Sequence, residues 1–166
     1  MMIKENPFLL TNLRHNLYKR TLLMYSVRHV REDVVDFLLR YDQVFAARDG
    51  YGWNIIHCIV SCSSGDHSVK FLKKIEIITS VTNLINKSNN LNEETPLHLA
   101  SSNNNHKAIE WLLANSVNVN IKNYRGRRPD QLSDCDRKTK TMIAQYRKGK
   151  VSVYFFLVVS KISFIQ

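Results

Sequence analysis

Apolar residues recur at helical spacing in two similar stretches of the chain. Residues 34–39 read VVDFLL and residues 108–113 read AIEWLL, so both place apolar side chains at positions i, i+3 and i+4. Such spacing predicts an amphipathic helix with one face against a core. The 166 residues include only 5 Gly and 3 Pro, too few for the many tight turns of an all-β fold. The pattern predicts a helical protein.

Both helical stretches belong to a longer unit that recurs along the chain. Residues 95–100 read TPLHLA, and residues 54–59 read NIIHCI with histidine again in the fourth place. Thr21 starts a third such segment, and Arg128 starts a fourth in which proline is again second. The four starts are 33, 41 and 33 residues apart. Spacing in this range is typical of stacked helical-pair repeats.

The TPLHLA segment, the apolar helix after it and the NYRG turn at residues 123–126 resemble the ankyrin repeat. Residues 90–122 match the family pattern almost position by position, whereas the second and fourth units are degenerate. The resemblance implies an all-α, ankyrin-type solenoid of about four helix-turn-helix repeats with β-turn fingers. It covers residues 16–147, leaving residues 1–15 as an N-terminal capping segment and 148–166 as a basic, then apolar, tail. The predicted inner helices lie near 21–29, 55–62, 96–103 and 129–134, and the outer helices near 33–41, 68–80, 106–115 and 138–147.

Several motif residues have a structural role that chemistry and the resemblance together suggest. Thr95 can cap the first helical turn, and Pro96 suits the first helical position, where no N–H is needed. The resemblance implies that His57 and His98 hydrogen-bond the backbone of the adjacent finger and hold successive repeats in register. Asn104 stands where the family usually has glycine, and asparagine tolerates a left-handed backbone well.

The second unit is eight residues longer than the others. One extra residue fits the loop between its helices, after Ser63, and seven fall within residues 73–86. Seven residues are about two helical turns, so they either extend the outer helix or form a longer loop. At the N-terminal end of the stack, Phe8, Leu9, Leu10 and Leu13 are expected to cover the first repeat.

Charge and cysteine content indicate which partners and which cellular compartment suit the protein. The formal charge is +10, which favours acidic partners. Three cysteines without framework spacing, and no apolar run of signal-peptide type at the N-terminus, favour a reducing compartment, the cytoplasm or nucleus. The apolar run at residues 151–159 is too short for a transmembrane helix. It either folds over the last repeat or remains a sticky extension.

Catalytic and metal-binding chemistry find little support in the sequence. The best metal-like group is His57, Cys58, Cys62 and His67, whose spacing matches no common zinc pattern. No glycine-rich phosphate loop and no strand-turn-serine elbow are present in the sequence. We therefore expect no enzymatic activity and no cofactor.

The resemblance instead implies a module that binds a protein partner through the concave face of fingers and inner helices. A short stack could also regulate or inhibit by mimicking a longer ankyrin protein. Tyr51 and Trp53, on one finger, are the expected anchors, because aromatic residues and arginine dominate binding hot spots. The expected contact residues are Tyr18, Arg20, Arg28, His29, Tyr51, Trp53, Asn92, Glu94, Ser102, Asn103, Tyr124, Arg125 and Arg127.

The alternative function comes from a basic stretch, residues 125–150, which holds nine arginines and lysines against three aspartates. Such a stretch could bind nucleic acid or an anionic surface, or could simply be the solvated outside of a terminal repeat. It lacks the series of stacking aromatics that single-stranded nucleic-acid binders carry, beyond Tyr124 and Tyr146.

Overall fold

A computed structural model describes residues 13–15, 17–41, 45–62 and 65–149 of the chain. The apolar tail at 151–166 and most of the N-terminal capping segment lie outside these ranges. The described part contains a two-stranded hairpin, eight α-helices and one 3-10 turn. The strands are β1 (Arg14–His15) and β2 (Arg20–Thr21). The helices are α1 (Leu22–Arg28), α2 (Glu32–Leu38), α3 (Ile55–Val60), α4 (Gly65–Ile78), α5 (Thr82–Ile85), α6 (Pro96–Ser102), α7 (His106–Ala114) and α8 (Arg137–Arg147), with the 3-10 turn at Pro129–Gln131.

The predicted solenoid of helical pairs is confirmed. Inner helices α1, α3 and α6 pack side by side, and the outer helices α4 and α7 pack against each other behind them. A short polar residue caps several of these helices and accepts a hydrogen bond from a backbone N–H of the first turn. The caps are Thr21 with Met24 N at 3.2 Å, Asn105 with Ala108 N at 3.2 Å and Asp136 with Thr139 N at 2.7 Å.

The motif residues of the third unit take the expected places. Thr95 is the N-cap of α6, and Pro96 is its first residue. Asn104, after this helix, has a φ of +51°, the left-handed backbone for which glycine is usual. Its side-chain oxygen accepts the backbone N–H of Asp136 at 2.8 Å, which ties the third repeat to the fourth.

The long second unit extends its outer helix. Helix α4 has 14 residues, against 7 in α2 and 9 in α7, and the short α5 follows it. The prediction of an extra residue in the loop between the helices of this unit is wrong. Helix α4 begins eleven residues after Asn54, just as α7 begins eleven residues after Thr95. An extra residue lies instead in the following finger. There, Glu93 takes a φ of +54°, whereas the second and fourth fingers use Gly52 and Gly126 for positive φ.

The fourth repeat is shorter than predicted. Its inner element is the 3-10 turn of 3 residues and not a helix over 129–134, because Leu132 leaves the helical region with a ψ of 146°. Helix α8 begins nine residues after Arg128, so two residues fewer are available than in the other repeats. Within α8 only Thr139 and Ile143 are buried, which gives the terminal repeat the polar outer surface that solenoid ends need.

The core runs through the stack between the inner and outer helices. All six residues of α3 are buried, and α3 packs against α1 on one side and α6 on the other. Leu13 is exposed, so it does not cover the first repeat as expected, because it precedes β1 and lies beside the hairpin. Phe8, Leu9 and Leu10 lie outside the described residues. Within the described ranges, no helix is both long and apolar enough to cross a membrane.

Candidate protein-binding face

Each finger after the first is closed by one Asp or Asn side chain. Asp49, Asn89 and Asn123 start the three fingers, and each side-chain oxygen accepts hydrogen bonds from two backbone N–H groups of the same finger, at 2.9 to 3.2 Å. The donors are Tyr51 and Trp53, Asn92 and Glu94, and Arg125 and Arg127. The fingers are therefore pre-shaped turns, with little conformational freedom to lose on binding.

Backbone hydrogen bonds join every finger to the one before it. The N–H of Gly50 donates to Tyr18 O at 2.6 Å, and the N–H of Asn90 donates to Tyr51 O at 3.0 Å. Tyr124 N–H repeats this contact with Asn92 O at 3.0 Å. The four fingers consequently form one continuous edge of the stack.

Two buried histidines add a second link between neighbouring repeats. Nε2 of His57 donates to Glu94 O, and Nε2 of His98 donates to Arg127 O, both at 3.1 Å. Burial lowers the pKa of His57 to about 4 and also lowers the pKa of His98, so both rings are neutral at pH 7. Each histidine thus hydrogen-bonds the backbone of the adjacent finger, as the resemblance implied.

The structure brings five of the expected contact residues, together with Tyr25, around one cavity of about 430 Å³, here called the N-terminal pocket. Its lining side chains are Tyr18, Arg20, Tyr25, Arg28, His29 and Tyr51. The Tyr18 and Tyr51 rings are 5.5 Å apart between centroids. The Arg28 guanidinium lies 5.7 Å from the Trp53 ring centroid, and its Nη1 donates to Ser61 Oγ at 3.4 Å. These contacts hold Arg28 beside the aromatic fingers.

Arg20 does not have the role expected for it. It is buried, and its Nε lies 3.1 Å from Asp49 Oδ2. Its guanidinium also lies 4.8 Å from the Tyr18 ring centroid. The charge of Arg20 therefore neutralises the carboxylate that closes the second finger, and its side chain is not free to pair with an acidic partner.

Trp53 also lies elsewhere than at the expected finger tip. The turn of this finger is at Gly50 and Tyr51, while Trp53 is on the returning arm next to the α3 cap. Its half-buried ring packs on the core and stacks on His57, with ring centroids 6.2 Å apart. Trp53 supports the face and presents only part of its ring, whereas Tyr51 is at the tip.

A second group of expected residues lines a smaller cavity of about 210 Å³, here called the C-terminal pocket. Asn92, Glu94, Ser102, Tyr124, Arg125 and Arg127 contribute to it, together with Asp134. Asn103 is not part of either group. It is the C-cap that follows α6, and it lines a cavity of about 680 Å³ at the loops between inner and outer helices, beside His106 and Lys107.

Exposed apolar side chains at the fingers were missed by sequence reasoning. Leu17 is 80% exposed beside Tyr18, and Leu91 is 61% exposed at the third finger. Tyr25, on α1, was also missed and lines the N-terminal pocket. Leu17 directly precedes Tyr18, and Leu91 directly precedes Asn92, both of which were expected to contact a partner. Their position next to these residues could have indicated that they belong to the same surface. Exposed apolar residues along one edge are typical of a protein-binding surface.

The cysteines and histidines do not form a reactive site in the described part of the chain. Burial raises the pKa of the Cys58 thiol to about 12 and of the Cys62 thiol to about 11, so neither is a thiolate at neutral pH. Cys62 Sγ donates to Val27 O at 3.3 Å. Among the described residues, no group of three or more His, Cys, Asp and Glu side chains is arranged to hold a metal ion.

Comparison with known families agrees with this architecture. The family model described as ankyrin repeats (3 copies) matches residues 44–123. This part of the chain belongs to the ankyrin repeat family, and the described residues on either side of it continue the same stack. No curated protein matches the chain. Ankyrin repeats are generally protein–protein interaction modules and typically have no catalytic activity.

Proposed function

We propose that the edge of fingers and inner helices binds a protein partner that carries an acidic segment, with the N-terminal pocket as the centre of the contact. The observation that supports this most is the composition of the pocket. Tyr18, Tyr51 and Arg28 are of the residue types that dominate binding energies at interfaces, and they lie together at one cavity. The chain acts as a non-catalytic adaptor or inhibitor of that partner.

Rigidity of the fingers supports the same function. The closed turns and the finger-to-finger hydrogen bonds hold Tyr18 and Tyr51 in place before any partner arrives. A preformed surface loses little entropy on binding. The exposed Leu17 and Leu91 extend an apolar strip along the same edge, on either side of Tyr51.

The charge balance supports an acidic partner. The chain carries a formal charge of +10, and Arg28 forms no ion pair with any described residue. Positive potential at the pocket would speed the approach of an acidic segment and fix its orientation. Buried free cysteines agree with a location in the cytoplasm or nucleus, where thiols stay reduced.

The alternative function is binding of nucleic acid or an anionic surface by the basic end. It is less well supported, because two arginines of this end already pair with an aspartate of the same chain. Arg147 contacts both carboxylate oxygens of Asp130, at 2.8 and 3.1 Å, and Arg128 contacts the same group at 3.4 Å. Lys138 and Lys148 are exposed and have no ion pair within the described residues, so they can test this alternative.

The test compares three immobilised proteins in a quantitative capture experiment with cell extract. They are the wild type, a face variant (Tyr51→Ala with Arg28→Ala) and a control variant (Lys138→Ala with Lys148→Ala). A protein that the wild type and the control variant retain, and the face variant loses, supports the proposal. Loss by the control variant alone, with capture of nucleic acid that falls steeply as salt rises, would support the alternative instead. Circular dichroism checks that each variant is folded.

A further inference from the structure

The N-terminal pocket is lined only by aromatic and basic side chains. Its six side chains are three phenols, two guanidinium groups and one imidazole, and no carboxylate lines it among the described residues. Asp49, the ion-pair partner of the lining residue Arg20, is buried and already neutralised by it. The net charge that faces the cavity is therefore positive and comes from Arg28.

Arg28 is placed to bind an anion. One of its N–H groups donates to Ser61 Oγ at 3.4 Å, and the guanidinium lies 5.7 Å from the Trp53 ring centroid, so two contacts position the Arg28 side chain. A guanidinium carries five N–H donors, and the remaining ones have the fork geometry that matches two oxygens of a phosphate or carboxylate. His29 lies next to it at the end of α1 and supplies a further donor.

Aromatic rings from two parts of the fold line the same cavity. Tyr18 and Tyr51 belong to the first two fingers, and their ring planes are 34° apart. Tyr25 and His29 belong to α1 and its C-cap, and their ring centroids are 4.2 Å apart. A ligand that presented only a small anionic group would leave these rings uncovered. A volume of about 430 Å³ accommodates a ring together with the anionic group.

The C-terminal pocket offers a comparison within the same chain. It also contains a tyrosine and two arginines, but its cavity is half as large, at about 210 Å³, and Glu94 and Asp134 line it. Two carboxylates repel an anion that the arginines would attract. The two pockets therefore share residue types and differ in net charge and size, so the second is a built-in control for the first.

We propose that the N-terminal pocket binds a phosphotyrosine side chain of the protein partner. The phosphate carries a charge near −2 at pH 7 and three strong acceptor oxygens for Arg28, His29 and the hydroxyls of Tyr18 and Tyr51. The ring of the ligand stacks between Tyr51 and Tyr25. This inference rests on the proposed function and names the group that the partner presents. Binding would then depend on phosphorylation of the partner.

The experiment titrates isotopically labelled chain with N-acetyl-phosphotyrosine amide and follows backbone amide shifts. Matched probes are N-acetyl-tyrosine amide and N-acetyl-phosphoserine amide. We expect saturable shifts at Arg28, His29 and Tyr51 with phosphotyrosine. Phosphoserine should bind at least several-fold more weakly, because it leaves the rings uncovered. Arg28→Gln should weaken phosphotyrosine binding about tenfold, the loss of one charge-assisted hydrogen-bond pair, whereas Arg125→Gln in the C-terminal pocket should leave it unchanged.

Three results would overturn the inference: no shift at these residues, equal affinity for phosphoserine, or binding that survives Arg28→Gln. The failure of this inference is separable from failure of the proposed function. If phosphatase treatment of the extract leaves capture of the partner intact while the face variant still loses it, the pocket binds a partner that is not phosphorylated on tyrosine. If the face variant captures the same proteins as the wild type, the proposed function itself is wrong.

Discussion

Arg20 and Asp49 form an ion pair inside the stack, with side chains only 9% and 0% exposed and an N–O distance of 3.1 Å. Asp49 uses its other oxygen to accept the backbone N–H groups of Tyr51 and Trp53. One carboxylate thus shapes the second finger and fixes the first repeat to it. The shape of the binding edge depends on this pair.

Arg20→Met should lower the free energy of unfolding by about 3–5 kcal/mol, because it leaves the Asp49 carboxylate buried without a positive charge beside it. Urea denaturation followed by circular dichroism measures this loss. The control is Arg31→Met, which removes the exposed pair with Asp33 and should have little effect. Equal effects of the two substitutions would show that Asp49 is solvated in the folded protein.

Stability should fall as the solution is acidified from pH 6.5 to about 4. Burial lowers the pKa of His57 from 6.5 to about 4, so in this window the unfolded chain binds a proton that the folded chain does not. The stabilisation from His57 is therefore complete above pH 6.5 and is lost as pH falls, by about 3 kcal/mol in all. Urea midpoints across this pH range measure it.

The matched variant for this experiment is His57→Gln, which keeps an N–H donor but does not titrate. We expect its stability to depend less on pH within the same window, with the remaining slope due to the lowered pKa of His98 and, at the acidic end, to carboxyl groups of lowered pKa such as Glu32 and Asp130. Identical slopes for the wild type and the variant would mean that His57 is accessible to protons in the folded protein.

Leu112→Ala should cost about 2–5 kcal/mol of stability, since Leu112 is fully buried in α7 and its truncation leaves a cavity. Ile77→Ala is the control, because Ile77 is 86% exposed near the end of α4 and fills no cavity. Denaturation midpoints of the two variants should differ clearly. An unchanged midpoint for Leu112→Ala would show that the position of α7 against the core is wrong.

Tyr51→Ala should weaken binding of the captured partner by about 2 kcal/mol or more, because Tyr51 lies at the tip of a rigid finger inside the N-terminal pocket. Titration calorimetry with the purified partner measures this. Lys148→Ala should alter mainly the association rate and its salt dependence. Trp53→Ala should lower both affinity and the unfolding midpoint, because the ring packs on His57. A Tyr51→Ala variant with full affinity would place the binding centre elsewhere on the chain.

The repeat architecture could be predicted from the sequence because its signals are local. Thr95, Pro96 and His98 each have a physical reason to occur at a helix start, and the helical spacing of apolar residues located the outer helices. The role of Arg20 could not be predicted in this way. Its partner Asp49 is distant in sequence, and a finger position alone does not tell whether a charged side chain faces solvent or a buried acid.

The placement of extra residues within a repeat could be predicted from the sequence only in part. The surplus of the second unit was recognised, but its division between α4, α5 and the following finger depends on where the backbone can take positive φ, as at Glu93. The prediction of a fourth inner helix over 129–134 is wrong for a similar reason. Only the position of α8 shows that too few residues remain after Pro129 for a full inner helix and the loop that follows it. Of the expected contact residues, Asn103 was displaced because it lies at the end of α6.

Helix α3 has no solvent-exposed side, since all six of its residues are buried and it packs against α1, α4 and α6. A fragment that lacked either neighbour would expose one side of Ile55, Ile56, Ile59 or Val60 to water and would tend to aggregate. The second repeat therefore cannot fold as an autonomous unit, and proteolytic or genetic dissection of the chain should yield no stable fragment in which α3 is a terminal helix. We therefore expect the smallest autonomous folding unit that contains this helix to consist of three adjacent repeats.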